Sequence, residues 1–369
     1  MRDHQPVIYD EAGGTWQVFR YEDALRISSD PAIFSNELQR MGPLQRFTRG
    51  NIGAMDPPKH CRVRTLVSQA FTARTISDLA GRVTELTGEL LDVVVGRDEF
   101  DLVGDFSFPL PVIVIAELLG VPATDRDLFR GWVDAMLAPT YKRLTDLLEE
   151  QELMSAYAAL EAYLLEHVRD RQRSPKDDLI SRLTQAQGDE GGLDDEEVVG
   201  FASFLLLGGR LTITVLLANA VRCLHEHPAA DAELRADRTL IPTAIEEVLR
   251  YRSPFLPERR VTTCDVTLGD RVVPASSLIT ASLLSANHDE RRFLDPDTFE
   301  IRRDPNPHLA FGHGAHFCLG APLARMVGAI ALNLLFDRFP LLRLKPGAGI
   351  PMYGSPEIFG PSRMLVSTS

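Results

Sequence analysis

Over most of the chain apolar residues recur every three or four positions, the period of an amphipathic helix. Residues 58–71 open with Pro58 and carry Val63, Leu66, Val67, Ala70 and Phe71 at helical spacing, and residues 76–95 continue in the same style. Residues 150–172 read as a charged amphipathic helix. Strand signals are few. They are "TWQVFRY" near the start, "DVTLGDRVVPASSLITASLL" (265–284) as a short hairpin plus a further strand, and "LLRLKP" and "RMLVST" near the end as candidates to pair. "SPKDD" and "QGDEGGLDD" read as loops, and neither an internal repeat nor a low-complexity linker marks a boundary. The pattern predicts one mainly α unit over residues 1–369 with a small β region.

One helix differs from the others. Asp194 and Glu197 have capping-box spacing, and nothing stops the pattern before "HEHP" at 225–228. That is roughly 30 residues, beyond the usual globular range. It is apolar almost all round, so it should cross the interior. Its middle holds Gly208-Gly209, and each glycine costs on the order of 1 kcal/mol against alanine there. Close packing of a neighbour and a large flat group lying on that face explain the pair equally well.

The chain has 369 residues, 44% of them hydrophobic, and a formal charge of −13 from 39 basic and 52 acidic residues. Such acidity disfavours nucleic acid and anionic membranes as partners and suits small-molecule work in solution. The four cysteines, Cys61, Cys223, Cys264 and Cys318, lie too far apart for a CxxC or zinc-knuckle motif. No signal region opens the chain, and the stretch "FASFLLLGG" is short for a bilayer and is followed by Arg210. A cytoplasmic protein with reduced thiols is expected.

Cys318 sits in "FGHGAHFCLG" (311–320), just before an apolar-periodic helix with Pro322 in its first turn. Free amides and the helix dipole favour a thiolate there, and the glycines let backbone approach closely. Such a cysteine is a soft metal ligand, a nucleophile, or a small buried residue in a tight turn. A hydrolase would want a histidine base, from His313, His316 or His288. Zinc would want three or four ligands at spacings this sequence does not show. A haem-thiolate site needs one cysteine, close backbone and amide donors to the sulfur.

The same stretch resembles the haem-binding signature of the cytochromes P450, whose defined positions are filled by Phe311, Gly312, Gly314, His316, Cys318 and Gly320. Three further stretches carry the resemblance across nearly the whole chain. "AIEEVLRY" (244–251) is similar to the family's Glu-x-x-Arg helix, with Glu247 and Arg250, and implies a lock to Arg303 or alternatively Arg302. "MDPPKHCRVRTLVSQAF" (55–71) puts His60 and Arg64 one turn apart at positions that bind haem propionates, and "RRVTTCDVTLGD" (259–270) supplies Arg260. His316 is the fourth of that set. The resemblance implies a triangular helical prism binding haem b (iron protoporphyrin IX), with Cys318 as proximal ligand. The long helix would run over the distal face, with Gly208 and Gly209 leaving room for porphyrin and dioxygen.

The long helix departs from the family pattern. Members usually carry an acid before the threonine, and Leu211 stands there ahead of Thr212. Leucine cannot relay a proton. Three readings follow: a monooxygenase in which substrate groups or water carry protons; atypical haem chemistry such as coupling, cyclisation, peroxide use, dehydration or isomerisation; or an acidic substrate met by Arg210. The alternative for Arg210 is that it points away from the haem into a polar contact or snorkels to water. The family's substrate segments map to 38–54 (basic through Arg40, Arg46 and Arg49), 135–145, 204–212, 253–258 and 354–360. A small-molecule substrate, a separate ferredoxin and ferredoxin reductase, and a monomer are implied, with Arg62 and Arg325 adding positive charge near Cys318. The short N-terminal stretch suits a compact bacterial type with no fused reductase. A zinc or thiol hydrolase and a non-catalytic binding module are the other classes considered.

Overall fold

A computed structural model describes residues 1–41, 50–125, 128, 131–132, 151–189 and 191–368. The first sheet begins with β1 (Val7–Asp10) and β2 (Thr15–Val18), followed by α1 (Tyr21–Ser29) and β3 (Phe34–Ser35). Helices then take over: α2 (Lys59–Ala70), α3 (Ala73–Asp78) and α4 (Ala80–Val94). After β4 (Glu99–Asp101) come α5 (Pro109–Leu119), α6 (Gln151–Arg173), α7 (Leu179–Gln185) and α8 (Asp195–Glu226). The helices α9 (Pro228–Ala236) and α10 (Ile241–Tyr251) lead into β5 (Pro257–Thr262), β6 (Val266–Leu268), β7 (Arg271–Val273) and β8 (Leu278–Ser282). A short α11 (Leu283–Ala286), the long α12 (Ala321–Arg338), β9 (Arg343–Leu344) and β10 (Leu365–Ser367) complete the order.

The expected elements form, with two adjustments. The segment predicted as one helix over 76–95 starts earlier and breaks at Leu79. The Thr72 side chain caps the Thr75 amide and so opens α3 ahead of it. The β region is small, as expected, but it gains strands the sequence did not announce, β1, β3, β4 and β5. The hairpin β6–β7 and strand β8 fall within 265–284, but β8 joins a five-stranded sheet in the order β1-β2-β8-β5-β3. The chain ends pair as expected, β10 with β9, and β4 lies on the other side of β10.

Helix α8 is the axis of the fold. Both halves of its capping box are made: the Glu197 amide donates to Asp194 at 2.8 Å and the Asp194 amide to Glu197 at 3.2 Å. It packs against α5, α6, α10 and α12. Among the described residues two helical stretches, Leu102–Leu119 and Asp195–Glu226, have the length and apolarity to cross a membrane, contrary to the expectation of none. With 67% and 72% of those windows buried inside, both are core elements of the fold.

The segment ahead of Cys318 is hung on α10. Glu247 and Arg250 are fully buried and meet in a two-pronged pair, with both contacts at 2.8 Å. Glu247 also accepts from the Glu300 amide at 2.8 Å, from Arg303 at 3.2 Å and from Asn306 at 3.2 Å. Arg250 spends its remaining donors on the carbonyls of Asn287, Pro296 and Thr298. Arg303 is therefore the locking arginine. Arg302 instead forms a mostly exposed pair with Glu233. Removing one partner of a buried network leaves a charge uncompensated, whereas an exposed pair contributes little. Arg303→Gln is expected to lower stability by about 3 kcal/mol and Arg302→Gln by less than about 0.5 kcal/mol, read by chemical denaturation of the two variants. Equal losses would contradict the assignment.

Candidate active site

The Cys318 loop is held from several sides. Its amide donates to the Phe311 carbonyl at 2.8 Å, closing the turn. Gly314 has φ +70°, and a side chain there would come within 3.0 Å of the Ser28 carbonyl and 3.1 Å of the Ser29 Cα. The end of α1 thus packs against the loop's backbone, and glycine is required on both counts. The amides of Gly320 and Ala321, at the start of α12, lie beside the Cys318 sulfur and favour the thiolate. Burial nevertheless pushes the thiol up, against those amides and the nearby positive charges of Arg64 and Arg325. The helix terminus supplies the donors that were expected, but desolvation outweighs them.

Cationic and donor groups gather beside this loop. His60, on the inner face of α2, is 1% exposed, and neither of its ring nitrogens has a partner. Its ring stacks on that of His316 with centroids 3.9 Å apart, and the buried His316 Nε2 is also without a partner. Burial, then His60, Arg260 and Arg64, push the His316 imidazole down to about 3. His60 is lowered by burial and by Arg64. Arg64 lies one turn along α2 and donates to the Phe317 carbonyl at 2.8 Å. Arg260 reaches the same cluster from β5 and is 6% exposed. Buried imidazole nitrogens without partners are uncommon in folded proteins. A ligand bearing carboxylates fits this donor set, because each lone nitrogen and each guanidinium would gain a charge-assisted bond.

On α8 the residues from 203 to 213 that escape burial are Phe204, Leu207, Gly208, Gly209 and Thr212. Phe204, Gly208 and Thr212 follow at i, i+4 and i+8, so they share one face. A methyl group on Gly208 would meet nothing within 4 Å, whereas one on Gly209 would lie 2.8 Å from Ile115 Cδ1 of α5. The close-packing reading therefore holds for Gly209, while Gly208 faces open space. The Thr212 hydroxyl donates to the Gly208 carbonyl at 2.9 Å.

The family model for cytochrome P450 matches residues 20–360. The cyclomarin C epoxidase CymV of Salinispora arenicola is 46% identical over 371 residues, covering 100% of this chain and 94% of that protein. The chain belongs to the cytochrome P450 family. The erythromycin C-12 hydroxylase of Saccharopolyspora erythraea is 42% identical over 92% of this chain and 85% of its own length. The ligand-free structure of cytochrome P450 TbtJ1 is similar with a TM-score of 0.93 and 46% identity, over 100% of this chain and 95% of that one. The protein is a haem-thiolate monooxygenase of the tailoring kind, and its cofactor is haem, iron protoporphyrin IX. The hydrolase and binding-module readings are set aside.

Several expectations for this P450 need correction. Arg210 is 1% exposed, and its guanidinium lies 3.8 Å above the Phe108 ring. Neighbouring helix positions differ by about 100°, so Arg210 is turned off the Gly208–Thr212 face and does not meet a substrate there. Arg325 does place positive charge near Cys318, as expected, but both it and Arg62 are paired with carboxylates. Arg62 pairs with Glu197, and Arg325 holds Glu246 through two contacts of 2.7 Å. Arg40 pairs with Glu37 at 2.8 Å. Arg46, Arg49 and the 135–145 segment lie outside the described residues.

Leu211 packs with Val215, Ile358 and the partly buried Tyr353. The C-terminal loop can close on α8 there because residue 360 is glycine; a side chain would come within 2.3 Å of Val215. The contacts of α1 with the loop and of the C-terminal loop with α8 are tertiary, and no local sequence signal announces them. Gly208→Ala is expected to leave folding intact and raise stability by about 1 kcal/mol from helix propensity, while weakening substrate binding because its methyl enters open space. Gly209→Ala should gain less, since Ile115 must move. Thermal unfolding with ligand titration checks both, and a Gly208→Ala protein that folds poorly would contradict the open face.

Proposed function

We propose that Cys318 would hold the haem iron through its thiolate and that His60, Arg64, Arg260 and His316 would hold its propionates. The observation that carries this reading is the stacked pair of buried histidines, whose lone nitrogens sit beside two guanidinium groups and next to the cysteine loop. Bound through a thiolate, haem supplies dioxygen activation, and a coordinating thiol is deprotonated outright whatever its resting pKa. Phe311, Gly312, Gly314 and Gly320 shape the loop. Gly208 leaves space on the distal side, and Gly209 seats α8 on α5.

Thr212 is the polar side chain of the open strip, and its hydroxyl and the Gly208 carbonyl form the place where a proton can be handed on. Leu211 contributes no proton and instead extends an apolar wall with Val215, Ile358 and Tyr353. The substrate is a secondary metabolite whose oxidised part is apolar and packs against that wall. Relatives named for cyclomarin C and erythromycin support a natural product of this general kind. Because the wall excludes a carboxylate relay, a polar group of the substrate or water held by it completes proton delivery at Thr212. The chain works as a single domain and a cytoplasmic monomer, and a separate ferredoxin and ferredoxin reductase supply its electrons.

Cys318→Ser should abolish the thiolate signature in the reduced carbon monoxide spectrum, because a hydroxyl is a far poorer anionic donor. An unchanged spectrum would overturn the assignment of the ligand. Leu211→Glu tests the proton path. The new carboxyl would be buried among Val215, Ile358 and Tyr353, so its pKa would rise and it would stay neutral. Electron-to-product coupling should not improve and substrate binding should weaken. A large gain in coupling would contradict substrate-assisted delivery.

A further inference from the structure

Among the arginines assigned to the propionates, Arg260 has an unusual neighbour. Its guanidinium donates to the Glu258 carboxylate and, at 2.8 Å, to the Arg259 carbonyl. Glu258 and Arg260 lie two apart on β5 and so point to one face of the strand. Their side chains are 11% and 7% exposed. Arg259, on the other face, makes the ordinary kind of pair, with Glu357 at about one-third exposure for each partner. The second Glu258 oxygen accepts the Ser28 hydroxyl from α1. Residue 312 of the cysteine loop is close as well, since a side chain at Gly312 would lie 3.8 Å from Glu258 Oε1. One largely buried carboxylate therefore joins β5 to α1 and lies close to the loop that carries Cys318.

Burying a carboxylate is costly, and a buried pair is rarely better for stability than apolar packing. The placement is also unfavourable for simple anion binding. A propionate arriving at Arg260 meets a guanidinium whose charge is partly cancelled, with a second carboxylate behind it. Net stability alone gives no reason for an acid at position 258.

We propose that Glu258 is a built-in counter-charge of the haem site: it fixes the Arg260 guanidinium between β5 and α1 and offsets part of its positive charge, so that the iron is harder to reduce. Glu258 is a positioning and charge-setting residue and touches no reacting atom. The sign follows from Coulomb's law. Reduction adds an electron to the haem, and a nearby fixed negative charge opposes that addition, most strongly where water is excluded. Haem potentials respond to charge and burial around the macrocycle in this way.

The inference rests on the reading that Arg260 binds a propionate, and the two can fail separately. The test uses the haem-loaded protein, with an equilibrium redox titration and the rate of haem transfer to apomyoglobin. Glu258→Gln keeps the shape and removes the charge. It should raise the ferrous-to-ferric ratio at a fixed potential about tenfold, which for a one-electron couple is about 59 mV in the positive direction. Glu258→Asp should return most of the way to the parent midpoint. Ser28→Ala loosens the anchor but keeps the carboxylate, so it should quicken haem release while leaving the midpoint in place. The proposal is overturned if Glu258→Gln has the parent midpoint, if Glu258→Gln retains no haem, or if Ser28→Ala shifts the potential as much as Glu258→Gln. Arg260→Gln reports on the underlying reading. Haem release as slow as in the parent would mean that Arg260 holds no propionate. Faster release in Arg260→Gln together with an unmoved midpoint in Glu258→Gln would remove only the role given to Glu258.

Discussion

The cysteine loop hangs from two adjacent carboxylates on α10, and the geometry of the site depends on them. Positions 246 and 247 are about 100° apart around the helix, so the two acids face different structures. Glu247 points inward and gathers Arg250, Arg303, Asn306 and the Glu300 amide, which fixes the path of the chain before the loop. Glu246 faces the other way and holds His308 at 3.1 Å and Arg325 on α12. Burial alone would raise the Glu246 carboxyl, but Arg325 and His308 outweigh it and hold it at about 2. The segment on one side of Cys318 and the helix on the other are thus referenced to one turn of α10. A cysteine whose position must be set closely gains this rigidity from buried charge pairs rather than from its own side-chain contacts.

The opposite face of the loop has the complementary chemistry. Toward α10 every described cation meets a carboxylate or carbonyl. Toward α2 and β5, His60 and His316 stack with nitrogens unsatisfied, and Arg64 donates to the Phe317 carbonyl. Burial first, and then the neighbouring positive charge, depresses both imidazoles in the protein alone. An anionic ligand reverses that balance, because each group then gains a partner and the histidines can hold protons. On the reading proposed above, cofactor and protein complete each other electrostatically, and the role proposed for Glu258 moderates the balance on the β5 side.

Much of this was legible in the chain because it rests on local chemistry. The capping box at Asp194 and Glu197, the hairpin at Gly269, the pairing of the terminal strands and the glycines around Cys318 follow from turn and helix rules. The Glu247–Arg250 pair came from the resemblance, with i, i+3 spacing placing both on one face, and the resemblance named two candidates for its third member. The choice of Arg303 over Arg302 needed the fold, since adjacent residues at the end of a loop carry equal local signals. Arg210 was open for the same reason: an arginine in an apolar helix reads as functional until Phe108 is seen beneath it. Arg62 and Arg325 read as free charge because Glu197 and Glu246 are distant in sequence. Glu258 carried no signal at all, since its partner on α1 lies 230 residues away.

The central claim is that this cationic pocket and the Cys318 sulfur together hold one iron porphyrin. X-ray absorption at the iron edge of the purified protein tests it most directly, because it reads the atoms around the metal without reference to activity or substrate. The account predicts a porphyrin nitrogen shell with one sulfur at bonding distance. An iron shell of nitrogen and oxygen alone would contradict it.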